Sequence, residues 1–242
     1  MDSLRHFEAQ LATWGLRIDS GPRERLLEYV RLLASYDRAN VIGTKDPDQI
    51  LHSHILDSLS CFLYEPLFHA KRMADVGSGG GLPGIPIRIV KPDLTTTLVE
   101  STAKKARFLQ FVVDALALDR IEVVNSRAED LARTQANRGA YDVVTSRAVA
   151  RLSVVAEYSV PLVKVGGRAI SMKSRLDPEE LSEGVRAAEA LGARIAEIIR
   201  VPMLQEIGDK ERNLVILQKT RDTPAQYPRR PGTAAKKPLG AG

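Results

Sequence analysis

A short apolar strand, predicted over residues 73–76, leads into the segment Asp75-Val-Gly-Ser-Gly-Gly-Gly-Leu-Pro-Gly84, which opens a helix. Four glycines fall within the five residues 77–81, more than a tight turn requires. Glycine lets the backbone turn sharply and lets a ligand approach it closely. In open α/β sheets, ligands bind at the carboxyl ends of the strands, where this loop lies. The segment therefore predicts a ligand-binding loop.

From residue 72 onward the pattern alternates between short apolar strands and amphipathic helices. Strands are predicted over residues 73–76, 95–100, 121–124, 141–145, 167–173, 195–201 and 213–219. Helices are predicted over 104–116, from about 128, over 151–162 and over 178–191. This order is typical of an α/β fold, a mostly parallel seven-stranded sheet covered on both faces. The last two strands have no helix between them, so we expect the last strand to run antiparallel.

Three regions are predicted. Residues 1–70 form an N-terminal helical region, residues 71–220 the sheet domain, and residues 221–242 a basic tail. From Lys219 onward there are six Lys or Arg residues and one acid, so this end carries the whole net charge of +5. Its Pro, Gly and Ala content predicts mobility. The tail is either an accessory to polyanion binding or a solvated terminus. Its candidate contacts with a nucleic acid or another polyanion are Arg229, Arg230, Lys236 and Lys237.

Composition excludes several classes of protein. No apolar run approaches the roughly 20 residues that a membrane span needs, and residues 1–10 lack the apolar core of a secretory signal. The single cysteine excludes an internal disulfide framework and any multi-cysteine metal site. We expect a cytoplasmic protein of one large domain, with no membrane partner and no metal.

The glycine loop also matches the dinucleotide pattern at Gly79-x-Gly81-x-x-Gly84. A pyrophosphate would need free backbone N–H groups at the helix N-terminus, and Pro83 and Pro86 each remove one. The carboxylate of Asp75 would repel a pyrophosphate but suits an ammonium group. S-adenosylmethionine (SAM) carries an ammonium and a sulfonium and no phosphate, so the loop favours SAM, with Asp75 and Gly79 among its contacts.

Two further segments fit either cofactor. Glu100, at the end of the second strand, can accept hydrogen bonds from ribose hydroxyls. Ser126-Arg-Ala-Glu129 follows the third strand and would lie near an adenine ring, although its spacing equally predicts a helix capping box. An NAD-dependent oxidoreductase therefore stays as the alternative function.

The sequence lacks the residues that two common kinds of methyl acceptor require, and this favours a third kind. Methylation of a pyrimidine carbon usually needs a cysteine, but Cys61 lies outside the sheet domain and is expected to be buried. Methylation of an exocyclic amine typically uses a polar-Pro-Pro-aromatic motif after the fourth strand, where this chain has Thr145-Ser-Arg-Ala148. Guanine N7 has a free lone pair and needs orientation only.

Arg147 occupies the substrate-facing position after the fourth strand and could hold a phosphate, the guanine O6 or the cofactor. Arg212 and Lys173 are weaker RNA-contact candidates of the same kind. His52 and His54 are interpreted as packing or polar contacts of the N-terminal region and not as metal ligands.

Over residues 22–237 the sequence resembles the bacterial 16S rRNA guanine-N7 methyltransferases. The resemblance is carried by His54-Ile-Leu-Asp-Ser58, the glycine segment of residues 75–86, Leu98-Val-Glu-Ser101, Arg127-Ala-Glu129, Val144-Thr-Ser-Arg-Ala-Val149 and Arg212-Asn213. It implies a class I SAM-dependent, Rossmann-like fold with an N-terminal helical extension. It also implies methylation of N7 of guanosine 527 in the 530 loop of 16S rRNA, presented as naked rRNA, as the 30S subunit or as an assembly intermediate.

The resemblance also implies SAM contacts at Gly77, Leu82, Ala128, Glu129 and Arg147. Leu82 departs from the phenylalanine that the family often has, and residues 36–40 lack the usual Trp-Asn pair. A third reading is a non-catalytic RNA-binding module with a residual cofactor site, which the intact loop, Glu100 and Arg147 oppose.

Overall fold

The computed structural model describes residues 2–203 and 211–241. In chain order the strands are β1 (Arg72–Val76), β2 (Thr95–Val99), β3 (Ile121–Val124), β4 (Tyr141–Arg147), β5 (Val163–Lys173), β6 (Ala193–Arg200) and β7 (Asn213–Lys219). They form one seven-stranded sheet in the order β3-β2-β1-β4-β5-β7-β6. Strands β1 to β5 pair in parallel, whereas β7 pairs antiparallel with both β5 and β6. The chain order reverses between β1 and β4, which is where open α/β sheets bind ligands.

Helices cover both faces and extend the chain at its N-terminus. They are α1 (Asp2–Thr13), α2 (Ser20–Ser35), α3 (Pro47–Ile50), α4 (Leu56–Leu59), α5 (Gly84–Val90), α6 (Ala103–Ala115), α7 (Ala128–Leu131), α8 (Leu152–Ser159), α9 (Pro178–Ala190) and α10 (Thr233–Lys236). A π-helical turn, Leu51–Ile55, joins α3 to α4, and two 3₁₀ turns, Ser60–Leu63 and Glu65–His69, lead into β1.

The two faces of the sheet have separate apolar cores. One core joins the N-terminal helices, α5 and α6 to the sheet through side chains such as Phe7, Leu33 and Leu98. The other packs α8 and α9 against the opposite face through side chains such as Leu152 and Ala187. The N-terminal helices therefore share one of the two cores with the sheet, α5 and α6.

The predicted strands and the antiparallel pairing of the last two are confirmed. The structure adds that β7 lies between β5 and β6, which makes β6 an edge strand. Strand β5 begins at Val163 rather than at Gly167. Gly166 and Gly167 lie within this longer strand, and a Cβ on Gly167 would be 2.7 Å from the carbonyl oxygen of Asp142.

The tail packs against the sheet domain, so the prediction of a mobile tail is wrong for residues 221–241. The guanidinium of Arg229 pairs with the buried carboxylate of Glu157, with Nη2 and Oε2 2.5 Å apart. The backbone N–H of Arg229 donates to the same carboxylate at 2.7 Å. From the domain, Arg138 donates to the carbonyl oxygen of Tyr227 at 2.8 Å. Composition predicts disorder here because it carries no information about these distant partners.

The ion pair between Arg229 and Glu157 predicts a stability difference within the tail. Arg229→Ala leaves a buried carboxylate unpaired and should lower the free energy of unfolding by about 3 kcal/mol. Its neighbour Arg230 is exposed, so Arg230→Ala should change it by less than about 0.5 kcal/mol. Chemical denaturation of both variants measures the difference, and equal effects would contradict the pairing.

Candidate active site

The glycine loop leaves the sheet at the end of β1. The N–H groups of Gly77 and Ser78 both donate to the carbonyl oxygen of Val99 on β2, at 2.9 and 3.1 Å. Gly77, Gly79 and Gly81 have positive φ angles of 70°, 56° and 90°. Because non-glycine residues rarely adopt such angles, the loop needs glycine at these positions to take this path.

The glycines of the loop serve two purposes. A Cβ on Gly80 would lie 2.8 Å from the carbonyl oxygen of Val41, and one on Gly81 would lie 2.4 Å from Cδ1 of Ile85. These glycines allow close packing. A Cβ on Gly79 would meet only the carbonyl oxygen of Gly77, at 3.8 Å. The space beside Gly79 is therefore open to a ligand.

The structure corrects the predicted role of Asp75 as a ligand contact. Its side chain is completely buried; Oδ1 accepts from Oγ1 of Thr145 at 2.8 Å, and Oδ2 accepts from the N–H of Gly84 at 3.2 Å. Burial raises the pKa of this carboxyl to about 6. These two hydrogen bonds connect Asp75 of β1 to β4 and to the start of α5, and so they stabilise the base of the loop.

The side chain of Glu100 lies beside Gly79, the loop glycine that has open space next to it. One carboxylate oxygen accepts from the N–H of Gly79 at 2.9 Å, and the other accepts from the N–H of Thr102 at 2.7 Å. Each carboxylate oxygen can accept a further hydrogen bond. The predicted acceptor is thus held in a fixed orientation next to the loop.

A small pocket lies between the loop and the segment after β3. Gly77, Ala128 and Glu129 line it together with Val149 and Tyr158. Glu129 is nearly buried, and its Oε1 accepts from the N–H of Gly232 in the tail at 2.9 Å.

Leu82 does not line this pocket. Its side chain is buried in the core that contains the N-terminal helices. The contact with SAM that the resemblance implies for Leu82 stays a prediction, and in the structure its side chain packs in this core.

Arg147 ends β4 next to the loop. Val76 of β1 is in register with Ser146 of β4, so Gly77 and Arg147 leave the sheet side by side. Nη1 of Arg147 donates to Oδ2 of Asp57 at 2.9 Å, and Nη2 donates to Nδ1 of His54 at 2.8 Å. The guanidinium is thus held in one orientation by the N-terminal region.

A second arginine shares the same carboxylate. Nε of Arg212 lies 3.3 Å from Oδ1 of Asp57, so one partly buried carboxylate pairs with two guanidinium groups. Burial raises the pKa of the Asp57 carboxyl, while Arg147 and Arg212 act in the opposite direction. Sequence reasoning included Asp57 and His54 in a motif but gave neither a role in the site.

The two arginines line a cleft of about 480 Å³ at the carboxyl edge of β4 and β5. Lys173 also lines it, and its Nζ lies 2.6 Å from Oε1 of Glu180 and donates to the carbonyl oxygen of Ala150 at 2.9 Å. The structure therefore brings Arg147, Lys173 and Arg212 together, whereas Arg229 is paired with Glu157, and Arg230, Lys236 and Lys237 lie exposed on the tail.

His54 is an acceptor in this cluster. Burial, Arg147 and Arg212 together lower the pKa of His54 to about 4. Since arginine can only donate, Nδ1 is unprotonated and the ring proton is on Nε2. His52 points elsewhere and lies 2.8 Å from Oγ of Ser3. Both histidines make polar contacts, as expected from the sequence.

Several other expectations concern the whole chain. Cys61 is buried, as predicted, and burial raises the pKa of its thiol well above the usual range. Within residues 2–203 and 211–241, no group of three His, Cys, Asp or Glu side chains could hold a metal ion. No helix in these ranges is long and apolar enough to cross a membrane.

Comparison with known proteins decides the family. Residues 23–214 match the family model described as rRNA small subunit methyltransferase G. The chain belongs to this family. A ribosomal RNA small subunit methyltransferase G from Rubrobacter xylanophilus is 51% identical over 237 residues, which cover 98% of this chain and 91% of the relative. One from Geobacillus thermodenitrificans is 38% identical over 96% of this chain and 98% of the relative.

Solved structures share the fold at low identity. A geranyl diphosphate C-methyltransferase from Streptomyces coelicolor, in complex with Mg²⁺, geranyl diphosphate and S-adenosyl-L-homocysteine, has a TM-score of 0.54 at 15% identity and covers 84% of this chain and 100% of that chain. A geranyl diphosphate methyltransferase in complex with SAM has a TM-score of 0.53 at 13% identity, with 78% and 94% covered. The predicted class I methyltransferase fold is confirmed. Membership of a methyltransferase family decides against the NAD-dependent oxidoreductase.

The low pKa of His54 predicts a specific titration. The folded state takes up this proton only well below the ordinary value of 6.5, so protonation favours unfolding, and stability falls as the pH drops from about 6.5 toward 4. Arg147→Gln removes one of the two nearby positive charges and should raise the midpoint of His54. NMR titration of the histidine rings measures this shift. His52 is the control, because Arg147 is not among the charges that shift its pKa; an equal shift at His52 would contradict the direct interaction.

Proposed function

We propose that this protein transfers the methyl group of SAM to N7 of guanosine 527 in the 530 loop of 16S rRNA. Family membership supports methylation of small-subunit rRNA. The observation that supports N7 is the guanidinium of Arg147, held between Asp57 and His54 at the carboxyl edge of the sheet. Such a site orients an acceptor and removes no proton from it.

The residues at the end of β1 and β2 fit SAM. The open space beside Gly79 allows a ligand to approach the backbone, and the fixed carboxylate of Glu100 can accept ribose hydroxyls. The pocket lined by Ala128 and Glu129 suits an adenine ring. When bound, SAM supplies an electrophilic methyl group on a sulfonium.

The acceptor needs orientation and little else. N7 of guanine carries a free lone pair and loses no proton on methylation, so a general base is unnecessary. His54 is neutral at pH 7 and already accepts a hydrogen bond from Arg147. The planar guanidinium of Arg147 can hold the base, a phosphate or the cofactor's carboxylate. Lys173 and Arg212 add positive charge along the same cleft for the RNA backbone.

The proposed substrate also implies a location and partners. Bacterial 16S rRNA is assembled and used in the cytoplasm, so we place the protein there. Its acceptor is naked rRNA, the 30S subunit or an assembly intermediate.

Mapping of methylated nucleosides by mass spectrometry tests the position. The 16S rRNA of a strain lacking this gene should lack 7-methylguanosine at position 527, and the wild-type gene should restore it. Methylation at another nucleotide would contradict N7 of guanosine 527 but not rRNA methylation in general.

Gly79 gives a test of the cofactor site. Gly79→Leu places a side chain in the open space and should abolish micromolar SAM binding, measured by calorimetry. Gly15→Leu is the matched control, because Gly15 also has a positive φ of 69° and no neighbour within 4 Å, but lies just after α1. Retained binding in Gly79→Leu would contradict this assignment.

Arg147 gives a test of orientation. Arg147→Lys keeps the charge but loses the planar fork, so kcat/KM for rRNA should fall roughly 10-fold or more. Arg175→Lys is the control, because Arg175 lines the same cleft but is exposed, and it should keep its activity. Unchanged SAM affinity in Arg147→Lys would assign the arginine to the acceptor, and weakened affinity would assign it to the cofactor. Full activity in Arg147→Ala would contradict both roles.

A further inference from the structure

A second cleft lies on the other side of the glycine loop, between the C-terminal end of α2 and the outer face of α6. We call it the outer cleft. It has a volume of about 750 Å³ and is lined by residues 35–38 and by side chains of α6, among them Lys104, Arg107 and Phe111. The proposed methyl transfer at the Arg147 cleft makes no use of these side chains.

The outer cleft has an exposed aromatic wall. The ring of Phe111 is 44% exposed, and its centroid lies 5.8 Å from that of Tyr36. Tyr36 in turn packs on the buried Phe108 at 4.6 Å. The outermost ring is thus supported from behind while one side faces solvent, an arrangement on which a planar base can stack.

Cations surround this aromatic wall. Arg38, Lys104 and Arg107 are exposed, and none of them forms an ion pair within residues 2–203 and 211–241. Two acidic residues, Asp37 and Asp114, also line the outer cleft. Asp114 accepts a hydrogen bond from Nε2 of Gln110 at 2.9 Å. Three cations without carboxylate partners can contact the phosphates of a single-stranded nucleic acid, while the exposed ring beside them can stack on one of its bases.

The outer cleft is joined to the cofactor side of the sheet. Lys104 lies in the first turn of α6, just after Thr102, whose N–H donates to Glu100. Helix α2, which ends at the cleft, also carries Tyr29, whose hydroxyl donates to the carbonyl oxygen of Gly80. In the sheet, β2 leads into α6 and lies on one side of β1, while β4 and the Arg147 cleft lie on the other. The two clefts therefore lie on opposite sides of β1.

We propose that the outer cleft binds a single-stranded segment of the substrate RNA next to the methylated nucleotide. A base of this segment stacks on Phe111, and its phosphates contact Arg38, Lys104 and Arg107. The proposal rests on small-subunit rRNA as the substrate, which is part of the proposed function, but not on the position that is methylated.

The stacking contact is tested with two matched phenylalanines. Phe111→Ala should weaken binding of the full-length protein to a protein-free 16S rRNA fragment containing the 530 loop by roughly 5- to 150-fold, measured by fluorescence anisotropy. Phe111→Trp should restore it. Phe68→Ala is the control, because Phe68 is 42% exposed and stacks on Phe62 at 4.8 Å, but precedes β1 at the opposite edge of the sheet. Equal affinities of the Phe111→Ala and Phe68→Ala proteins would overturn the proposal.

The phosphate contacts are tested by salt dependence. Lys104→Gln and Arg107→Gln should each reduce the slope of log affinity against log salt by about 0.7, the value for one phosphate of a single strand. Arg120→Gln should leave the slope unchanged, because Arg120 is exposed before β3, at the opposite edge. Unchanged slopes in both cleft variants would overturn the phosphate contacts.

Two further measurements identify the occupant. SAM affinity, measured by calorimetry, should be the same in all these variants; a loss confined to SAM binding would assign the outer cleft to the cofactor and overturn the proposal. Weaker binding to the 30S subunit with unchanged binding to protein-free rRNA would identify a ribosomal protein as the partner, which also overturns it. Failure of methylation at position 527 would leave the RNA affinities of these variants as they are, so the two proposals fail separately.

Discussion

The glycine loop packs directly against the backbone of the N-terminal region at Gly80. A Cβ on Gly80 would lie 2.8 Å from the carbonyl oxygen of Val41, so no larger residue fits there without a shift of the backbone. Tyr29 of α2 adds a hydrogen bond to the carbonyl oxygen of Gly80. The loop is therefore packed against the N-terminal region on one side, while the space beside Gly79 stays open. The shape of the proposed cofactor site depends on helices that precede the sheet in the sequence.

The second half of the site depends on the same region. His54 lies in the π-helical turn, and Asp57 follows in α4. Both side chains reach Arg147, one at Nη2 and the other at Nη1. Single π-helical turns are often found at functional sites. His54 and Asp57 are three residues apart, which places both side chains on one face of the helical segment, where they meet one guanidinium. The N-terminal helices thus orient the arginine as well as the loop.

Local pattern was enough to predict the strands, the glycine loop and the position of Arg147, because each depends on nearby residues. It could not predict that Asp75 faces Thr145 rather than a ligand, or that Leu82 is buried. Those outcomes depend on how β1 pairs with β4 and how the N-terminal helices cover the loop. Asp57 escaped detection as a site residue because its partner Arg147 is 90 residues away.

The charged residues show most clearly that sequence pattern does not predict contacts between distant residues. The basic end of the chain carries the whole net charge, but Arg229 is paired with Glu157. Lys219 is buried, and burial together with Arg138 lowers its pKa to about 8. Elsewhere Arg88, only 2% exposed, holds Asp119 in place. Counting cations along the sequence therefore mixes those that stabilise the fold with those that can meet a phosphate. Burial and pairing separate the two kinds: Arg229 and Arg88 have carboxylate partners, whereas Arg38, Lys104 and Arg107 are exposed and form no ion pair within residues 2–203 and 211–241.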